Sequence, residues 1–334
     1  MAKKSQWITW AKQDEEEVND LKEQAIERLR KSFEEAGELI QHRIDTFYAK
    51  YSEDGVVSPA DARMRLSGVD LSRERELLAR MQRQADEATA TELGRIRAKK
   101  YLSRQEALLA EVRFYLSQLS NAKADTVDEV LREIAKSTQM HTWYHLEQGI
   151  GYELNLDRFS EYQIQALIST GADGHTIKAG LKYDTDKLQV AVNRLIPQQF
   201  ITGASSQDLA KRLAKEMQTS YNSAIRLIRT NGTYVSAKAD METYHQAGCE
   251  QYEILATLDS RTSDICREMD GKVFPTSQAE VGVTLPPFHQ NCRTTTLPVL
   301  DDMEDLNEER LAKGSDGKYV RVKKMTYREW EAQK

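Results

Sequence analysis

The stretch from Leu255 to Val299 constrains this chain most. It reads LATLDSRTSDICREMDGKVF, a short spacer, then LPPFHQNCRTTTLPV, and it gathers prolines, two of the three cysteines and one of the six histidines. The rest of the chain is poor in proline and helical in pattern. Proline fixes φ and lacks an N–H, and Asp-Gly and Pro-Pro pairs mark turns, so no long helix fits here. The composition of the stretch calls for a small, tightly turned module.

Within that module the hydrophobic period changes from helical to β. Tyr252, Ile254, Ala256 and Leu258 alternate with Glu253, Leu255 and Thr257, as in a half-buried strand that ends in a polar turn at Asp259 and Ser260. Thr262 or Ser263 is placed to cap a short helix in SDICREM, which aims Cys266 inward. Asp270 and Gly271 turn the chain into Lys272, Val273 and Phe274, and Pro286 and Pro287 extend it before His289. TTTLPV, after Arg293, is β-prone and is predicted to pair with the strand at Tyr252. The expectation is a small α+β unit.

Upstream, apolar residues recur at Leu21, Ile26, Leu29, Phe33, Ala36, Ile40, Ile44, Phe47 and Tyr51, one stripe along a long helix. Ser58 is a plausible N-cap before Pro59. Further helical regions follow from about Arg73 to Lys100 and through Leu109, Val112, Leu116 and Leu119, giving a helical hairpin or bundle. Such stripes pack against each other, or offer a docking surface to a helical partner in a large assembly. From Thr142 to Phe200 glycines punctuate short apolar runs, as in a hinge followed by short helices, with Pro197 limiting or kinking one of them. His141 and His145 lie four apart on one helix face, a metal-pair spacing, but Trp143 and Tyr144 between them point to packing. Ser205 and Asp208 fit a capping box for SQDLAKRLAKEM, and another helix from about Tyr221 to Ala247 stops at Gly248. The fold expected is mainly α with a small C-terminal α+β domain.

A length of 334 residues with 30% charged and 40% hydrophobic content suggests two folding units, and a mean hydropathy of -0.66 suits long solvated helices. No window approaches the run of about 20 apolar residues that a membrane span needs. The N-terminus lacks the apolar core of a secretory signal, so synthesis in the cytoplasm and no membrane partner are expected. Three cysteines make no disulfide framework and read as thiols or metal ligands. A net charge of -6 opposes a general nucleic-acid coat and leaves only local DNA contact.

The string carried by Asp259, Arg261, Thr262, Cys266, Asp270, Gly271, Lys272, Val273, Phe274, Pro286, Pro287, His289, Asn291, Cys292 and Arg293 resembles the C-terminal signature of the Mu-F-like minor head proteins of tailed bacteriophages. LAKRLAKEM, the pair Arg229 and Thr230, and HQAGCEQYEILATLD are similar to the same domain, so the resemblance covers roughly Leu181 to Leu300. It implies a head morphogenesis protein present in the virion, in the phage head interior or at the portal vertex, whose partners are the portal protein, other head or scaffold proteins and packaged DNA. The division expected is a helical assembly domain (1–140), a hinge with short helices (141–180), a Mu-F-like α+β domain (181–300) and a tail (301–334) with a short strand and a last helix holding Tyr327 and Trp330.

Cys266, His289 and Cys292 are candidate ligands of a structural zinc, which normally takes four. Many relatives carry two more cysteines, at the positions of Ser263 and Thr294 here; Asp264, Asp259 or Cys249 are the alternatives for a fourth ligand. Asp259, Arg261 and Asp270 are expected to form a charge-assisted network that pins two turns. The other reading is a metal-dependent enzyme, a hydrolase or nuclease carried in the phage head. Against it, the deaminase and H-E-x-x-H strings are absent, no second histidine stands near His289, and the residues after Leu300 are too few for an appended toxin domain. No catalytic residue is therefore assigned. For DNA the candidates are two basic clusters, Arg95, Arg97, Lys99 and Lys100, and Lys318, Arg321, Lys323 and Lys324; Asp301, Asp302, Glu304 and Asp305 oppose a broad surface.

Overall fold

The structure, a computed structural model, describes residues 3–151, 153–257 and 259–300 in full, and the backbone of 309–313 and 319–323. Among the described residues it is a mainly helical protein with a small antiparallel sheet towards the C-terminus.

The first stripe forms one helix, α1 (Lys4–Tyr51), which buries Ile26, Leu29, Phe33, Ala36, Ile40, Ile44 and Phe47. Ser58 Oγ accepts from the Asp61 amide and caps α2 (Pro59–Arg63), as its position before proline implies. The next helical region, expected from about Arg73 to Lys100, consists of two helices: α3 (Gly68–Gln84) and α4 (Glu87–Arg97). The break comes from Asp86, whose carboxylate accepts from the Thr89 amide at 3.0 Å and so restarts the helix as an N-cap. α5 (Arg104–Ile150) is followed by the short α6 (Glu161–Ser169), opened by a capping box of Ser160 and Gln163. α7 (Ile177–Thr202) is long and contains Pro197 in its interior. α8 (Ser206–Gln246) is a single helix where two were expected. The polar run Gln218–Ser220 does not interrupt it, because it holds no glycine or proline and the Thr219 hydroxyl bonds back to the Lys215 carbonyl at 3.0 Å. Gly248, at φ +74°, ends the following turn, and the Cys249 amide bonds the Tyr244 carbonyl at 2.9 Å.

The predicted β pairing forms. β1 (Gln251–Leu255) lies between β2 (Val273–Pro275) and β3 (Thr295–Val299), both antiparallel to it, with Tyr252 opposite Phe274 on one side and Pro298 on the other. Unlike a half-buried strand, β1 is buried from Tyr252 through Leu255. Leu255 packs with Ile8 and Ala11 of α1, and the Glu253 carboxylate meets Lys4 Nζ at 2.5 Å. α1 thus covers the face that the sequence pattern left to solvent. β4 (Glu309–Lys313) and β5 (Tyr319–Lys323) form a separate hairpin, and the last helix expected around Tyr327 and Trp330 lies outside the described residues.

Packing groups the chain into two compact units, each discontinuous in sequence. One comprises Met1–Ile26, Val127–Ile177 and Ile225–Lys334; the other comprises Glu27–Thr126 and Lys178–Ala224. The second unit is an all-helical core in which Phe33, Ile44 and Phe47 of α1 pack with Val112 and Leu116 of α5, Ile196 and Phe200 of α7 and Leu213 of α8. The first holds the sheet, with Trp7, Leu146, Met241, Tyr244, Tyr252 and Ile254 in one cluster. Among the described residues no helix is long and apolar enough to cross a membrane.

Candidate metal centre

Three side chains that the sequence singled out converge in the first unit. α9 (Asp264–Met269) begins at Ser263, whose Oγ accepts from the Cys266 amide, and one helical turn then carries Cys266 inward to 3% exposure. The opposite wall is the loop before β3. Asn291 takes a left-handed φ of +59°, a conformation asparagine tolerates better than most residues, and its amide donates to Thr230 Oγ1 of α8 at 3.1 Å. This turn places His289 and Cys292 on the same side. From α8, the Thr233 hydroxyl holds the Cys292 carbonyl at 2.7 Å and accepts in turn from the buried Lys22 ammonium at 2.9 Å.

Cys266 Sγ lies 3.1 Å from His289 Nε2 and 3.7 Å from Cys292 Sγ, and the three ligand atoms all fall within 4.8 Å of one another. His289 Nδ1 is 2.8 Å from the Gln290 carbonyl, which places a ring proton on Nδ1 and turns Nε2 to the sulfurs. The hydrogen bond from Cys266, aided by His289, holds the Cys292 thiol well below its usual range, while that bond to Cys292, with burial, pushes Cys266 up. His289 is raised, chiefly by its bond to Cys292. Two buried sulfurs and an imidazole nitrogen within 4.8 Å of one another are a donor set that fits a thiophilic divalent metal such as zinc, which would tie α9 to the loop before β3.

The neighbouring motif residues hold turns by hydrogen bonds. Asp259 takes a two-pronged bond from Arg293, Nη1 to Oδ2 at 2.6 Å and Nη2 to Oδ1 at 2.7 Å, and accepts from the Arg261 amide at 2.8 Å. Burial pushes the Asp259 carboxyl up, but Arg293 outweighs it and holds it at about 2. The Thr262 hydroxyl closes the turn on the Thr257 carbonyl at 2.5 Å. The expected network of Asp259, Arg261 and Asp270 is therefore divided. Arg261 reaches Asp259 only at 3.7 Å with a largely exposed side chain, and Asp270 serves another turn, accepting from the Ala256 amide at 2.9 Å. Gly271 supplies the φ of +77° that the turn after α9 requires, and Pro287 is buried, as are Leu285 and Pro286 before it.

Residues 191–297 match the model of the family described as Phage Mu protein F like protein. The chain carries a Mu-F-like domain. Beyond the domain, it is 25% identical to Minor head protein GP7 of Bacillus phage SPP1 over 77% of this chain and 94% of that protein. That match runs over nearly the whole length of the minor head protein. It is also 27% identical to an uncharacterized protein of Haemophilus influenzae over 43% of this chain and 30% of that one. A third relative is the NAD(+)--arginine ADP-ribosyltransferase EFV of Enterococcus faecalis, 26% identical over 64% of this chain and 46% of that enzyme. The chain thus spans under half the length of these last two. No solved structure matches it.

Arg95 and Arg97 are exposed at the end of α4; Lys99 pairs with Glu106 at 2.7 Å, and Lys100 lies over the Tyr101 ring. Lys318 and Lys324 fall outside the described residues, and for Arg321 and Lys323 only the backbone of β5 is described. His145 is a packed residue, stacked on Trp10 at 4.8 Å, as its aromatic neighbours implied. The sequence reading missed its partners on α1: Asp14 lies 3.0 Å from His145 Nδ1, and Glu17 lies 3.1 Å from His141 Nδ1. The signal was the Asp14-x-x-Glu17 pair, but nothing local says which helix it faces.

Proposed function

We propose that this chain is a non-enzymatic minor head component of a tailed-phage virion that acts in head morphogenesis at the portal vertex. The observation that carries this reading is the match to a minor head protein over 94% of that protein's length. In this reading the protein is made in the host cytoplasm and incorporated with other head or scaffold proteins. The portal is its immediate partner, and the Mu-F-like domain is a folded module rather than a reaction site. The basic residues Arg95, Arg97 and Lys100 give it at most a local contact with packaged DNA, one that weakens steeply with salt. The test is quantitative mass spectrometry of purified virions and of empty procapsids from the genome that encodes the chain, with the portal as internal standard. A few copies per portal in both particles is the expected result. Absence from both overturns the virion assignment.

A further inference from the structure

We propose that Cys266, His289 and Cys292 hold a zinc-class divalent metal through three protein ligands only, leaving a fourth position for water or a small anion. The separation of the sulfurs is that of ligands around one small ion: with metal–sulfur bonds near 2.3 Å, two thiolates of a tetrahedron stand about 3.8 Å apart, and these sulfurs are separated by 3.7 Å; His289 Nε2, at 3.1 Å from Cys266 Sγ, would move outward by a few tenths of an ångström to reach the roughly 3.5 Å of a sulfur–nitrogen pair.

Every candidate for a fourth ligand is committed elsewhere. Both Asp259 oxygens are held by the Arg293 guanidinium. Asp264 points outward, with its side chain 92% exposed and paired to Arg267 at 3.2 Å. Asp270 accepts from the Ala256 amide. Cys249 packs in another cluster with Trp7 and Leu146, where burial pushes its thiol up to about 11. Besides its partners Cys292 and His289, the groups that act on Cys266 are hydroxyls, those of Ser263 and Thr294, which favour its thiolate. Neutral hydroxyls are outside the thiolate, imidazole and carboxylate set that closes structural zinc sites, and Ser263 also caps α9. Among the described residues this leaves three ligands.

Solvent has a route to the centre. His289 and Cys292 border a polar cleft of about 460 Å³, whose walls also carry Lys22, Arg229, Arg261 and Arg293 together with acidic residues of α1. Three ligands and an approachable fourth position are the marks of an exchangeable site, whereas a purely structural one is closed.

The experiment uses the full-length chain, reduced, stripped of metal and loaded with Co²⁺, whose spectrum reports both thiolate ligation and coordination number. A thiolate-to-cobalt band is expected, with visible bands that shift on adding azide. Ser263→Cys and Thr294→Cys each place a third thiol beside Cys266. At least one of them, checked for folding by circular dichroism, is expected to strengthen the thiolate band by roughly half and to lose the azide response. It is also expected to tighten cobalt binding by roughly tenfold or more. A folded wild-type protein with no thiolate band overturns the metal site altogether. Cobalt bound through thiolate but indifferent to azide overturns the open position alone, and this arm needs neither variant.

Discussion

Asp240 carries its charge problem in the interior. Thr142 donates to it at 2.6 Å and Thr296 stands at 3.5 Å, yet burial, reinforced by the charge of Asp14, pushes its carboxyl up to about 8. A folded-state pKa above the unfolded one gives stability that is complete below about pH 4 and is lost as pH rises towards 8. Asp240→Asn removes that dependence, so between pH 5 and pH 8 the variant's melting temperature should fall less than that of the wild type; an equal fall in both would assign the effect to another group. Asp259 has the opposite sign. Held at about 2, it stabilises the fold above about pH 4 and loses that contribution as pH falls to about 2. Asp259→Asn should cost about 1–2 kcal/mol in urea unfolding at pH 7 and much less near pH 2.5. At this scale the sequence was informative about the centre itself, since Cys266, His289 and Cys292 sit among turn residues whose conformations are locally determined. It was silent on Asp240 and Asp14, which are ordinary helical acids until distant segments bury or pair them.

Between elements, the packing of α5 on α1 depends on the absence of one side chain. A Cβ at Gly149 would lie 2.0 Å from Cζ2 of Trp7, a ring that is 3% exposed. Alanine is the better helix former by about 1 kcal/mol, but a rigid buried indole cannot yield by that distance. Gly149→Ala should therefore destabilise the protein by roughly 1–3 kcal/mol and alter tryptophan fluorescence; an unchanged melt would mean that Trp7 has room to move. Helix existence was readable from apolar spacing, as the stripe of α1 and the predicted β1–β3 pairing illustrate. Interruptions were harder to read. The Asp86 cap that splits α3 from α4 has no glycine or proline to announce it, and the polar run Gln218–Ser220 resembles a break while continuing α8. The burial of β1 on both faces was not legible either, because the cover over Glu253 and Leu255 comes from α1, far away in sequence.

Considered as a whole molecule, the unit that holds the Mu-F-like centre is assembled from three separated stretches, Met1–Ile26, Val127–Ile177 and Ile225–Lys334. A chain beginning at Glu27 lacks Trp7, Ile8 and Ala11 and uncovers Tyr252 and Leu255. Its far-ultraviolet helicity should persist while the sheet region loses cooperative unfolding and gains protease sensitivity; an intact, protease-resistant region 225–300 would show that α1 is dispensable to it. The same arrangement sets a timetable. At about 5–20 residues per second, Trp7 leaves the ribosome roughly ten seconds to a minute before Tyr252 and Ile254 are made. Until then the opening turns of the first helix trail an uncovered apolar edge. During that interval the risk of aggregation depends on the pace of translation, whatever the stability of the finished fold.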